Sequence, residues 1–163
     1  MTNVSDRDRM PHASGLVLHR PAAYDFAVWL MTAGRERAFR EKILLLARLR
    51  EGEAVLDVGC GTGSLAIAAK RQVGADGKVS GIDASPEMLA RARRKANKAD
   101  VEIAFDNATA QSLPFSDAQF DAVLTTVMLH HLPRPARELC AREMKRVLKP
   151  GGRVLAVDFA VSG

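Results

Sequence analysis

From residue 53 onward, short apolar runs alternate with amphipathic stretches, and the alternation sets the elements. Residues 54–58 (AVLDV) read as a buried strand, GCGTGS as a tight turn, and residues 65–73 (LAIAAKRQV) as a helix. Residues 78–83 (KVSGID) are the second strand. Ser85 is a good cap, with Pro86 at the first position of a helix over 86–98. Residues 101–106 and 120–127 are the third and fourth strands, joined by the loop NATAQSLPFSDAQ. A helix over 134–148 is closed by KPGG, and 153–159 is a fifth strand. Strands alternating with helices predict a doubly wound α/β domain around a mostly parallel sheet.

Upstream, residues 35–50 have the spacing of an amphipathic helix with Phe39, Ile43, Leu46 and Leu49 or their neighbours inward. Residues 1–34 are set apart as a polar tail and an arm that carries the only Tyr and the only Trp, leaving 35–163 as the domain. Trp29, with Phe26, Val28 and Leu30, either covers an apolar substrate or packs the arm. No internal repeat or low-complexity tract interrupts this plan.

The chain has 163 residues, enough for one globular core. A hydrophobic content of 47% with 26% charged residues excludes wholesale disorder, and 5% aromatics argues against a stacking platform for single-stranded nucleic acid. The net charge of +5 is weak evidence for a nucleic-acid partner, and none is expected. Cys60 and Cys140 have neither disulfide nor metal-ligand spacing, and no metal is expected. The polar start resembles no signal or transit peptide, and no apolar run approaches the roughly 20 residues of a membrane span. A cytoplasmic protein is the expectation.

The chemistry gathers at the first two strand ends. Glycines after a parallel strand let the backbone approach a ligand, and the next helix offers its N-terminal N–H groups. The spacing here is G-x-G-x-G, with Ser64 where a dinucleotide-binding fingerprint would place its third glycine or an alanine. No Lys-Ser/Thr pair follows to make a Walker loop. Asp57, just before the glycines, would repel a pyrophosphate but suits a ligand carrying an ammonium and a sulfonium. Asp83, at the end of the second strand, is placed to accept from both ribose hydroxyls of a nucleoside. An NAD-dependent oxidoreductase is disfavoured by Ser64 and Asp57.

Five segments occur in order: VLDVGCGTG, GIDASPEML, ATAQSLPFSDAQFDAV, LHHLP and LKPGGRVLAVDF. Together they make the chain resemble the class I S-adenosylmethionine-dependent methyltransferases, in particular the group related to the ubiquinone/menaquinone-biosynthesis C-methyltransferases. The resemblance runs from about Tyr24 to the end and implies a Rossmann-like sheet. It implies that Asp57, Gly59, Gly61 and Gly63 line the methionine end of the cofactor, with backbone contacts from Cys60 and Thr62. Asp83 would hold the ribose, Ala84 and Met88 would flank the adenine, and Thr109, Ala110 and Gln111 would meet its edge. Thr126 and Val127 would close over the methionine. Many relatives carry Asp-Ala where this chain has Thr109-Ala110, so a neutral hydroxyl stands in for a carboxylate, with Asp106 nearby as the alternative.

The resemblance implies methyl transfer from S-adenosylmethionine, without a metal, to a small, apolar, quinone-precursor-like acceptor. His131 is the first candidate for a general base and Tyr24 the second, although His130-His131 also reads as the structural start of a helix. The chain stops after the fifth strand, whereas the family usually adds a helix and two strands. An exposed sheet edge and self-association are therefore expected. The alternative function is a non-catalytic or truncated S-adenosylmethionine-binding module that self-associates; RNA methylation rests on the basic charge alone. Cys60 reads as a small residue chosen for fit, Cys140 as packing, and the run Arg91, Arg93, Arg94, Lys95, Lys98 as a solvated helix face.

Overall fold

The computed structural model describes residues 36–158; Tyr24 and the rest of the N-terminal tail and arm lie outside the described residues. The apolar runs become β1 (Ala54–Val58), β2 (Lys78–Asp83), β3 (Ala104–Asn107), β4 (Phe120–Thr126) and β5 (Leu148–Val157). The helices are α1 (Glu36–Ala47), α2 (Ser64–Val73), α3 (Pro86–Lys98) and α4 (Arg134–Val147), with a 3-10 turn at Leu129–His131. The five strands form one sheet in the order β3-β2-β1-β4-β5, and every pair is parallel. The order reverses between β1 and β4, so a crevice opens at their carboxyl ends.

Alternation along β1 divides the core in two. Val55, with Val79, Ala122 and Leu124, faces a layer built from α1, α2 and α3. Leu56 and Val58, with Ile82 and Val123, face Cys140, Met144 and Val147 of α4. Leu56 and Val58 are fully buried, each worth about 1.5–3 kcal/mol relative to exposure. The cap of α3 is as the sequence predicts: Ser85 Oγ accepts from the Met88 N–H at 3.3 Å. Arg146 donates to Glu143, Asp117 and the carbonyls of Leu113 and Phe115, pinning the segment between β3 and β4 onto α4.

Three elements differ from expectation. The fifth strand starts at Leu148, not at 153, because Leu148 already pairs with Phe120 before a register shift, so KPGG lies within β5. The inward face of α1 is Ile43, Leu44 and Ala47, whereas Leu46 is 57% exposed. The helix is rolled so that small Ala47 meets β5, whose Arg153 donates to the carbonyls of Ala47 and Arg48 at 2.7 Å each. The third strand pairs only from Ala104, because the chain leaves α3 through a turn with Asp100 at φ 53° and packs Val101 and Ile103 on the core first. Among the described residues β5 pairs with β4 alone, and Val154 on it is 43% exposed. No helix among the described residues is long and apolar enough to cross a membrane.

Candidate active site

The turn after β1 is held by β2. The N–H groups of Gly59 and Cys60 both donate to the Ile82 carbonyl at 2.9 Å, and that of Gly63 to Cys60. Gly59, at φ +76°, lies where a Cβ would stand 2.5 Å from the Met128 side chain. At Gly63, φ +80°, a Cβ would stand 2.9 Å from Ala92. Gly63 is thus a packing residue that seats α2 against α3. The Gly61 N–H and the Ser85 N–H each donate to Asp83 at 2.9 Å. Burial raises the Asp83 carboxyl above its usual range and these two bonds oppose the rise. Two donors leave a carboxylate with acceptor capacity for further hydroxyls.

Asp57 is 1% exposed, and neither of its oxygens has a hydrogen-bond partner among the described residues. Burial first, and the neighbouring Asp83 charge second, push its carboxyl to about 7. Leaving such a group unsatisfied is unfavourable by kcal/mol amounts, so a donor or cation reaching it gains correspondingly. The cleft in front of it is lined by Gly59, Cys60 and Thr62 of the turn and by Thr126 and Val127 at the end of β4. Glu36, Phe39, Arg40 and Ile43 of α1, with Ser64 and Leu65 of α2, complete its wall. The contribution of α1 was not foreseen; the one signal for it was the Glu36/Arg40 spacing, which here forms an ion pair.

The remaining residues expected at a cofactor do not line this cleft. Asp83 and exposed Ala84 stand at the end of β2, across the Gly61 bond, whereas Met88 is 2% exposed within α3. Thr109 and Gln111 are half-buried in a loop closed by a Thr109–Ser112 bridge, and Ala110 is buried; Asp106 is exposed on β3. Cys60 is buried, with its thiol pushed well above the usual range by desolvation, then by Asp57 and Asp83. Its sulfur lies 3.0 Å from where a Gly81 Cβ would be, so it fills space rather than acting as a thiolate. Within the basic run, Lys95 does not join a solvated face: its Nζ reaches Thr62 Oγ1 at 3.1 Å and Ser64 Oγ.

Beyond Thr126 and Val127 lie the ends of β4 and β5, whose His130, His131 and Asp158 are not among the residues that line the cleft. Val127 has φ 52°, a conformation rare for a β-branched residue, and its N–H donates to the Val157 carbonyl. Asp158, just past β5, accepts from the backbone N–H of His130 at 3.0 Å and sits 2.6 Å from its Nδ1. The ring centroids of His130 and His131 lie 3.9 Å apart, with their planes tilted by 44°. Burial, then the neighbouring His130, lowers the His131 imidazole, with Asp158 opposing. The carboxylate that orients an imidazole therefore serves His130, whereas the sequence pointed to His131. Asp158 was missed because only the fold brings it to the histidines.

Residues 55–152 match the methyltransferase domain family. The chain is 36% identical over 156 residues to the ubiquinone/menaquinone biosynthesis C-methyltransferase of Marinomonas sp., covering 94% of this chain and 61% of that protein. It is 42% identical over 113 residues to the 27-O-demethylrifamycin SV methyltransferase of Amycolatopsis mediterranei, covering 68% of this chain and 40% of that one. It thus spans less than two thirds of either relative. A solved S-adenosylmethionine-dependent methyltransferase from Aquifex aeolicus superposes with a TM-score of 0.67 at 32% identity, covering 73% of this chain and 63% of that one. Its parallel sheet, its glycine turn and these relatives agree: the chain belongs to the class I S-adenosylmethionine-dependent methyltransferase family and resembles the quinone-biosynthesis C-methyltransferases.

Proposed function

We propose that this chain binds S-adenosylmethionine and supports transfer of its methyl group to a small, largely apolar acceptor of the quinone-precursor kind. The observation that carries the reading is the buried Asp57 carboxylate, unpartnered among the described residues, facing a cleft beside a glycine turn. Its acceptor-only chemistry fits an α-ammonium. Asp83 takes the ribose hydroxyls, and Ala84, Met88, Thr109, Ala110 and Gln111 serve the adenine end. Thr126 and Val127 form the wall toward the acceptor. When bound, the cofactor supplies an electrophilic methyl carbon on a sulfonium. The protein's own contribution is chiefly alignment, which is worth several kcal/mol.

The proton of the acceptor goes to His130. Asp158 holds Nδ1 and favours the tautomer in which Nε2 is the accepting nitrogen. A base of this kind serves oxygen and carbon acceptors alike, and the two relatives are named for one of each. The test is calorimetric titration of the protein with S-adenosylmethionine and S-adenosylhomocysteine, with NAD as the control. Saturable binding of the first two, lost in Asp83→Ala, supports the reading. A folded protein that binds neither overturns it.

A further inference from the structure

The connection from β3 to β4 passes over β2 and β1 without a helix of its own, unlike most parallel crossovers. Its order comes from two anchors. At its start, the Asp83 carbonyl accepts from the Ala108 N–H at 3.2 Å and from Asn107 Nδ2 at 3.0 Å. Further on, Glu143 and Arg146 of α4 hold Leu113 by both its backbone groups. The Leu113 N–H donates to Glu143 Oε2 at 2.7 Å, and its carbonyl accepts from Arg146 Nη2 at 3.1 Å. The pair thus does for Leu113 what a neighbouring strand would do. Arg146 Nη1 goes on to the Phe115 carbonyl at 2.8 Å and to Asp117 at 2.7 Å, while Nε and Nη2 grip both oxygens of Glu143. Between the anchors lie residues 109–112, closed on themselves by the Ser112 N–H, which donates to the Thr109 carbonyl at 3.2 Å.

Asp83 serves at both its ends: its carbonyl holds this loop, and its carboxylate is the proposed partner of the ribose. The turn between the anchors carries Thr109, Ala110 and Gln111, proposed to serve the adenine end. Neither Glu143 nor Arg146 lines the cleft. We infer that these two are positioning residues, which fix the 109–112 turn against Asp83 and so make the site select the base of its nucleoside. Hydrogen bonds tolerate only a few tenths of an ångström in donor–acceptor distance, so a turn free to drift would accept either of two bases. A guanidinium suits the task because its rigid planar fork reaches several acceptors at fixed angles, which an ammonium on a flexible stem does not. The inference rests on the cofactor reading above and deepens it.

The test compares S-adenosylhomocysteine with S-inosylhomocysteine, which keeps the ribose, the thioether and the amino acid but has an oxygen in place of the base's amino group. Both are titrated against the wild type, Arg146→Met, Arg146→Lys and Glu143→Gln, with melting temperatures measured alongside. The wild type is expected to bind the inosine compound about tenfold more weakly, the size of one polar group left unpaired. Arg146→Met should weaken S-adenosylhomocysteine by a similar factor while leaving the inosine compound within about twofold, so that the preference disappears. Arg146→Lys keeps the charge without the fork, and most of the preference should still be lost. Equal weakening of both ligands, or a lower melting temperature with both affinities unchanged, would make the pair a mere brace and overturn the inference. So would equal binding of both ligands by the wild type. Should Arg146→Met fail to fold, Glu143→Gln, which keeps the side chain's shape, makes the same comparison. A folded wild type that binds neither ligand overturns the cofactor reading itself, an outcome distinct from the others.

Discussion

At the carboxyl ends of β1 and β2 one carboxylate is tied to backbone N–H groups and the other is buried behind a backbone-fixed turn, whereas at the ends of β4 and β5 the polar groups are half-buried side chains tied to each other. Asp83 accepts from two backbone N–H groups and Asp57 sits in the dark behind a turn fixed by the Ile82 carbonyl. His130 and Asp158, on the other side, hold one another from loops that follow their strands. The first half has one geometry imposed by main-chain bonds. The second depends on side chains, which can be exchanged without disturbing the sheet. A fold that serves many acceptors with one cofactor would place rigidity and latitude in this way.

The largest effect should come from the β4–β5 half. His130→Ala is expected to lower methyl transfer by roughly 10²–10⁴-fold, the range of general-base catalysis. Asp158→Asn should lower it less, and the affinity for S-adenosylhomocysteine should stay unchanged in both. A matching loss of affinity would break the division between the halves.

Next comes Asp57→Asn, expected to weaken S-adenosylhomocysteine on the order of a hundredfold, since it removes one partner of a buried charge pair. Two pH dependences of opposite sign accompany it. The carboxyl titrates near 7 in the fold against an ordinary 3.8, so its contribution to stability is full at low pH and is lost as pH rises through 7. Asp57→Asn should therefore raise the melting temperature at pH 8 and not at pH 4. Ligand affinity of the wild type runs the other way, falling as pH drops below about 7, because the ionised carboxylate is the binding form. Titrations at pH 6 and 8 check it.

Smaller still is Gly63→Ala, which combines a left-handed backbone with a Cβ 2.9 Å from that of Ala92. It should destabilise by about 1–3 kcal/mol in chemical denaturation. Val127→Gly relieves the φ 52° strain at the end of β4 and should stabilise by about 1 kcal/mol, at the expense of a defined wall for the acceptor.

The legible part of the molecule is the local part. Strand runs, the Ser85 cap, the glycine turn and the two carboxylates each lie within a few neighbouring residues, so period and spacing expose them. The illegible parts are settled by contacts between distant segments. Leu46 has the right spacing to face inward, but Arg153, more than a hundred residues away, decides how α1 is rolled. The sequence pointed to His131, and only the fold shows that the carboxylate of Asp158 lies against His130. Lys95 read as one cation in a solvated row, because nothing in the row tells which member the adjacent α2 will meet. Its neighbour Arg93, likewise, donates to the Phe105 carbonyl of β3.

Arg153 has one more implication, for the order in which the molecule can be assembled. Its guanidinium joins β5 to Glu53, Ala47 and Arg48, at the end of α1 and just before β1. On a ribosome, β1, β2 and β3 emerge together and can pair, but the contact that seats α1 belongs to a strand made about a hundred residues later. Until then the apolar face of the helix has no β5 to lie on. Such a nascent chain is exposed to chaperones and to self-association for the time that those residues take to be made. The first of the described helices is among the last to be locked in place.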